Sequence, residues 1–139
     1  MKISIKGFTL VELLIVIAII AILSSMSIII YQKYQQKSLA TSKLLPIAEG
    51  CSKEIIAYCI GLDVKSPTNI DVASLPLKNC QSTTVFEYSL TVNVVGSFVC
   101  NPGGSVVNGE VIAESSKIPL YYAECSLMDD GLRCKVIGR

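Results

Sequence analysis

The sequence predicts an α+β fold in which one long N-terminal helix packs on a small antiparallel sheet. An apolar run fills residues 8–30, and a helical pattern continues it to residue 60. Strand-like stretches separated by turn signals then fill the chain from residue 85 onward. With 139 residues, the chain has room for one domain and one long helix.

The apolar run of residues 8–30 is long enough to cross a bilayer, since as a helix it would measure roughly 34 Å. It contains a single charged residue, Glu12. A charge inside such a run costs roughly 3 kcal/mol or more, so we expect the Glu12 carboxylate to have a partner. The other side chains of the run that are not apolar are Thr9, Ser24, Ser25 and Ser27.

Residues 1–7 predict a short leader peptide that is removed. A conventional secretory signal carries its apolar region before the cleavage site. Here the apolar run follows Gly7 and would survive cleavage. Lys2 and Lys6 put positive charge on the cytoplasmic side, which predicts a C-terminus outside the cytoplasm. The alternative is an uncleaved single-pass anchor.

The N-terminal stretch resembles that of type IV pilins and their relatives. The resemblance rests on Gly7 at a junction, Phe8 after it, Thr9-Leu10, Glu12 and the apolar helix, all in a fixed register. It covers about the first 35 residues, and the rest of the chain is similar only in its general plan. It implies that a dedicated membrane peptidase cuts after Gly7 and that the new N-terminal Phe8 is methylated.

The resemblance also implies partners and a location. The expected partners are a homo-oligomeric filament with other pilins, a prepilin peptidase and methyltransferase, an inner-membrane assembly platform, and membrane lipid before assembly. The expected location is the bacterial inner membrane for the single-pass precursor and the cell surface for the pilus. The expected roles are adhesion, twitching motility or DNA uptake. The alternatives are a pseudopilin of a type II secretion system and a non-polymerising membrane-anchored binding module.

Glu12 and Phe8 are the residues predicted to direct assembly. In a filament core the Glu12 carboxylate would enter apolar surroundings, where an unpaired charge is costly. Cleavage exposes the amine of Phe8, and an axially offset neighbour could offer that amine to Glu12. Pairing would then set the axial register of the subunits. The alternative is a charge that only marks the membrane interface.

Composition argues against an enzyme and against a nucleic-acid-binding surface. The formal net charge is +1, and without Lys2 and Lys6 ten basic and eleven acidic residues remain. That balance provides no electrostatic footprint for nucleic acid. The chain has no His, which removes the commonest general base and metal ligand. We therefore expect no enzymatic activity, no cofactor and no metal.

Residues 31–60 predict an amphipathic continuation of the helix. Polar residues follow residue 31, and an apolar stripe at spacings of four and three marks a face packed on the head. Pro46 interrupts the stripe and should kink the helix. Gly61 should end it. The stripe comprises Leu44, Ala48, Cys51, Ile55 and Tyr58.

Residues 61–139 predict a globular head that begins with a loop over residues 62–82. Asn108-Gly109 is a candidate tight turn. Asp129-Asp130-Gly131 marks the strongest hairpin, and its carboxylate pair supplies too few oxygens for a calcium site. The predicted strands are 85–95, 97–100, 105–113, 118–127 and 132–137.

The six cysteines all follow the apolar run, which favours disulfides in an oxidising compartment over zinc or thiol redox chemistry. Six cysteines allow fifteen pairings. Cys51 and Cys59 would lie roughly 12 Å apart on a helix, too far to bond. Three pairs are predicted: Cys125–Cys134 across the hairpin, as in the C-terminal loop that many pilins have, Cys59–Cys80, and Cys51–Cys100.

Overall fold

The computed structural model describes residues 7–85 and 89–139. The chain divides into two compact units, one up to Gln35 and one from Gln36 to Arg139. Two sequence predictions lie outside the described residues. These are the first six residues of the leader and the part of the first predicted strand over residues 86–88.

From Leu10 onward the first unit is helical, and up to Ile30 its exposed surface is mostly apolar. Helix α1 spans Leu10–Leu39, and no residue of α1 is buried. Two of its serines donate hydrogen bonds within the helix, Ser25 to the Ile22 carbonyl and Ser27 to the Leu23 carbonyl. In the described part of the chain, Leu10–Gly61 is the one helical stretch long and apolar enough to cross a membrane.

A π-helical turn, Ala40–Leu44, follows α1 and leads into α2, which spans Leu45–Gly61. The wider turn is closed by the Leu45 N–H, which donates to the Ala40 carbonyl. Pro46 sits in the first turn of α2, where its missing N–H is least costly. The π-helical turn thus ends two residues before Pro46, and the kink predicted at Pro46 stays a prediction. The predicted end of the helix at Gly61 is confirmed.

Helix α2 packs on the sheet through the predicted apolar stripe. Leu44, Ala48, Cys51 and Ile55 are all fully buried. At the end of the stripe, Cys59 is the fully buried residue and Tyr58 is only partly buried. The core lies between this face and the sheet, and its largest buried side chains include Phe98, Leu44, Ile55, Ile118 and Leu127.

The sheet of the second unit is antiparallel throughout, with the order β1-β3-β4-β5-β6 and with β2 also paired to β3. The long strands alternate buried and exposed residues, as expected where one face covers a core. The strands are β1 Thr68–Asp71, β2 Thr83–Val85, β3 Leu90–Cys100, β4 Val106–Glu114, β5 Tyr121–Met128 and β6 Gly131–Gly138.

The segment predicted as a loop over residues 62–82 contains β1, which the sequence did not reveal. Strand β1 pairs with residues 97–100 of β3, and β2 pairs with residues 90–92 of the same strand. Between them, Val72 and Cys80 are buried. The segment is therefore bound to β3 at both ends and to the core in the middle.

The tight turn predicted at Asn108-Gly109 is wrong, because both residues lie inside β4. Ser97 pairs with Glu110 and Val99 pairs with Val107, so two residues of β4 face one residue of β3. This is a β-bulge, and its first residue, Asn108, has a left-handed φ of 51°, as in the G1 type of bulge. A Cβ on Gly109 would lie 2.9 Å from the Cβ of the buried Phe98.

The β5–β6 hairpin forms as predicted, with Met128 opposite Gly131 and Cys125 opposite Cys134. The structure joins Cys125 to Cys134. The other two predicted pairs are wrong. The disulfides are Cys51–Cys80 and Cys59–Cys100.

The path of the chain after α2 explains this exchange of partners. Glu54 accepts a hydrogen bond from the Asn79 backbone N–H at 2.9 Å, so the segment before Cys80 runs back along α2 to Cys51. The end of α2 instead meets the turn after β3. A Cβ on Gly104 of that turn would lie 2.9 Å from the Ile60 Cα. Cys59 therefore bonds Cys100.

The disulfides should differ in their contribution to stability. Cys59–Cys100 spans 41 residues and Cys125–Cys134 spans 9. The chain-entropy estimate is about 4 kcal/mol for the first pair and about 3 kcal/mol for the second. We expect the full chain with both Cys59→Ala and Cys100→Ala to lose more unfolding free energy in guanidinium chloride than the Cys125→Ala/Cys134→Ala chain. The reverse order, or a Cys59–Cys80 peptide in non-reducing mapping, would contradict the structure.

Candidate functional site

The N-terminus of α1 is closed by a reciprocal hydrogen-bond pair between Thr9 and Glu12. The Glu12 backbone N–H donates to the Thr9 Oγ1 at 3.3 Å. In return, the Thr9 backbone N–H and hydroxyl donate to the Glu12 Oε2 at 2.9 Å and 2.8 Å. Thr9 thus occupies the N-cap and Glu12 the third helical position. This arrangement is a capping box.

The sequence contained this signal, although the role of Thr9 was missed. Thr9 and Glu12 stand three residues apart directly before an apolar run, and that spacing is typical of a capping box. Within the chain the Glu12 carboxylate therefore accepts hydrogen bonds from Thr9, which carries no charge, and its pairing with the Phe8 amine of a neighbour stays a prediction. The carboxylate also lies in the first turn of the helix, where the positive end of the helix dipole stabilises an anion.

Gly7 and Phe8 lie immediately before this cap, and both are exposed. Phe8 is 85 % exposed, and a Cβ placed on Gly7 would meet no atom within 4 Å. The predicted scissile bond and the predicted assembly residue Glu12 thus share one short segment. Cleavage after Gly7 would create an amine one residue before the N-cap.

The other predicted residues, the six cysteines, belong to the second unit and serve to cross-link it. At the hairpin, Asp130 pairs with Arg133 at 2.8 Å, so its carboxylate is committed to an ion pair. Within residues 7–85 and 89–139, no group of three or more Cys, Asp or Glu side chains is arranged to hold a metal ion.

The described chain combines an exposed apolar helix that has a capped N-terminus with a sheet domain cross-linked by disulfides. The family model described as "Prokaryotic N-terminal methylation motif" matches residues 4–28. The chain is 33 % identical over 118 residues to the type IV major pilin protein PilE1 of Neisseria gonorrhoeae, covering 84 % of this chain and 67 % of the relative. The chain belongs to the type IV pilin family.

Two further relatives agree with this assignment. A type IV major pilin protein PilE of Neisseria gonorrhoeae is 39 % identical over 71 residues, covering 50 % of this chain and 42 % of the relative. A fimbrial protein of Neisseria meningitidis is 35 % identical over 101 residues, covering 69 % and 59 %. These relatives are longer than the matched regions. Their names are those of pilus proteins and not of enzymes. No solved structure matches the chain significantly.

The cap can be tested by replacing Thr9. Thr9→Val keeps the shape of the side chain but removes the acceptor for the Glu12 N–H, which should cost about 1 kcal/mol. We expect the amide of Glu12 to exchange roughly fivefold faster in detergent-solubilised protein, measured by NMR, since 1.4 kcal/mol corresponds to a factor of ten. Thr9→Ser keeps the hydroxyl and should match the wild type. Equal exchange rates in the Val and Ser variants would show that the cap does not hold this turn.

Proposed function

We propose that this chain is a structural subunit of a type IV pilus. It is inserted in the bacterial inner membrane as a single-pass precursor, cleaved after Gly7, methylated on the amine of Phe8 and polymerised through α1. The filament serves adhesion, twitching motility or DNA uptake at the cell surface. Partners include other pilins, a prepilin peptidase and methyltransferase, and an inner-membrane assembly platform.

The exposed apolar surface of α1 is the observation that carries this proposal. From Leu10 to Ile30 the large apolar side chains are 46–78 % exposed. The core of the second unit is formed by its own residues, between Ala40 and Leu127. The apolar side chains of this core therefore already have partners within the unit. Burial of such side chains is favourable by about 1.5–3 kcal/mol each, which supports lipid first and neighbouring helices later as their surroundings.

The position of the capping box supports the proposed processing. Gly7 is exposed and meets no neighbouring atom, so a protease can reach the Gly7–Phe8 bond without unfolding α1. The cap starts at Thr9, so cleavage leaves the helix and its first turn intact. The product carries an amine close to the Glu12 carboxylate of its own chain and available to a neighbour.

The same geometry supports a pairing of Glu12 with the Phe8 amine of a neighbouring subunit. Both bonds from Thr9 end on Oε2, so the second carboxylate oxygen can accept from an incoming ammonium group. An axially misplaced subunit would leave the amine and the carboxylate buried without each other, and breaking a buried pair costs roughly 3–5 kcal/mol. Pairing therefore selects one axial register.

Processing is tested by Gly7→Trp. Gly7 is exposed and a Cβ placed on it would meet no atom within 4 Å, so we expect the substitution to leave α1 folded while blocking a protease pocket that accepts a small residue. We expect mass spectrometry of membrane protein to find a chain that still begins at Met1. Gly7→Ala serves as the matched control and should be cleaved at or near the wild-type level. Surface fibres of Gly7→Trp protein starting at Phe8 would refute the cleavage assignment.

The role of Glu12 in assembly is tested by two substitutions in a strain without a wild-type copy. Glu12→Gln can still accept from the Thr9 N–H, because capping boxes use Glu or Gln, but it has no charge. Glu12→Leu loses both properties. We expect both variants to be inserted and cleaved and both to give few sheared fibres.

The Gln variant separates the two functions of the carboxylate. If Glu12→Gln assembles normally while Glu12→Leu does not, the cap alone matters and the intersubunit ion pair is wrong. Normal fibre yield from both would show that Glu12 does not direct assembly. Cleaved protein that never forms fibres even as the wild type would instead support the membrane-anchored binding module.

A further inference from the structure

We propose that Tyr31 and Tyr34 form an interfacial anchor that holds the unassembled chain at a fixed depth in a phospholipid bilayer. The inference rests on the membrane insertion in the proposed function and assigns these tyrosines a role before polymerisation. The partner is the headgroup region of the outer face of the membrane.

The tyrosines stand where the helix changes from apolar to polar. The apolar run ends at Ile30, and the next residues combine aromatic, amide and cationic side chains, with Lys33 between the two tyrosines. Tyr and Trp concentrate at membrane–water interfaces, since their rings are apolar and their polar groups need water. Lys near a helix end extends its ammonium group toward the same interface.

The structure places the two rings on one side of α1. Tyr31 and Tyr34 are three residues apart, which puts them on one helix face, and they are 62 % and 72 % exposed. The Gln35 side-chain amide donates to the Tyr31 hydroxyl at 3.1 Å. This bond places the hydroxyl beside a residue one turn further from the apolar run. The ring of Tyr31 can therefore rest at the boundary while its hydroxyl lies on the polar side.

The distance between the two polar ends of the helix matches a bilayer. The capping box of Thr9 and Glu12 closes one end, and Tyr31 begins the other. The residues between them, 13–30, span roughly 27 Å as a helix, against a hydrocarbon core of about 30 Å. With Tyr31 at the outer interface, Glu12 lies at the cytoplasmic interface. The anchor thus keeps the segment before the cap within reach of water.

Because the sequence contains no Trp, a single introduced Trp can report its own depth in the bilayer by fluorescence quenching. Tyr31→Trp retains an interfacial aromatic residue, and Ile20→Trp reports on the centre of the helix, where Ile20 is 56 % exposed. Each full-length, uncleaved variant is reconstituted in phosphatidylcholine–phosphatidylglycerol vesicles with bromine at defined positions along the acyl chain. Quenching of the single Trp then gives its depth.

We expect Trp at position 31 to be quenched most strongly by bromine nearest the headgroups, and Trp at position 20 by bromine near the chain ends. If the residue-20 reporter is deeply buried while the residue-31 reporter is quenched equally at all depths or only by the deepest bromine, the anchor is wrong and insertion stands. If neither reporter is quenched, membrane insertion itself fails.

A second experiment tests whether the two tyrosines determine the depth of α1 in the bilayer or only lie at the interface. Tyr31→Ala and Tyr34→Ala are combined in the Ile20→Trp background. Loss of the anchor should shift or broaden the quenching profile of the residue-20 reporter. Gln32→Ala, which removes an exposed polar side chain from the same turn, should leave the profile unchanged. An unchanged profile in the double tyrosine variant would overturn the proposal.

Discussion

The apolar surface of α1 is unfavourable in water, because each exposed Leu, Ile or Val orders or displaces solvent at a free-energy cost that scales with its area. No residue of α1 is buried within the chain, so the helix needs surroundings that the chain does not supply. A bilayer and a bundle of neighbouring helices are two such surroundings, and a membrane subunit that polymerises moves between them. The hydroxyls of Ser25 and Ser27 suit both surroundings of the proposed function, because each donates to a carbonyl of the helix backbone.

The second unit must be stable without help from the apolar part of α1. Its core is modest, because one helix, α2, covers the inner face of a small sheet. Two of its disulfides connect that helix to other elements, Cys51 to the segment after β1 and Cys59 to the end of β3. The third closes the β5–β6 hairpin. A small domain in an oxidising compartment gains stability from such cross-links, because they restrict the unfolded chain. The unit can therefore keep its fold while the surroundings of α1 change.

Much of this fold could be predicted because its signals are local. Periodicity located the buried stripe of α2, and turn residues located the β5–β6 hairpin with Cys125 opposite Cys134. The wrong predictions concern features that depend on contacts between segments far apart in the sequence. Asn108-Gly109 has turn chemistry, but pairing with β3 places it in a bulge opposite Phe98. The partners of Cys51 and Cys59 depend on the path of the segment after α2, which spacing alone does not encode. At the candidate site, Glu12 was found from its charge, whereas the cap by Thr9 required attention to the spacing.

Glu12 is exposed in the described chain, and the capping box affects what its burial in the proposed filament would cost. A carboxylate that enters an apolar environment alone faces a large desolvation cost, whereas this one already accepts two hydrogen bonds from Thr9 and lies at the positive end of a helix dipole. The hydrogen bonds within each subunit thus already offset part of the desolvation cost of the Glu12 carboxylate. The amine of a neighbouring Phe8 would have to supply only the remaining part, and it can approach without displacing Thr9, since both existing bonds use one oxygen. Because the cap is the same in every subunit, it would stabilise a buried carboxylate without favouring any register. In the proposed filament the selection of register would therefore come from the intersubunit amine, and we expect the charge and the hydrogen bonds of Glu12 to have separable effects.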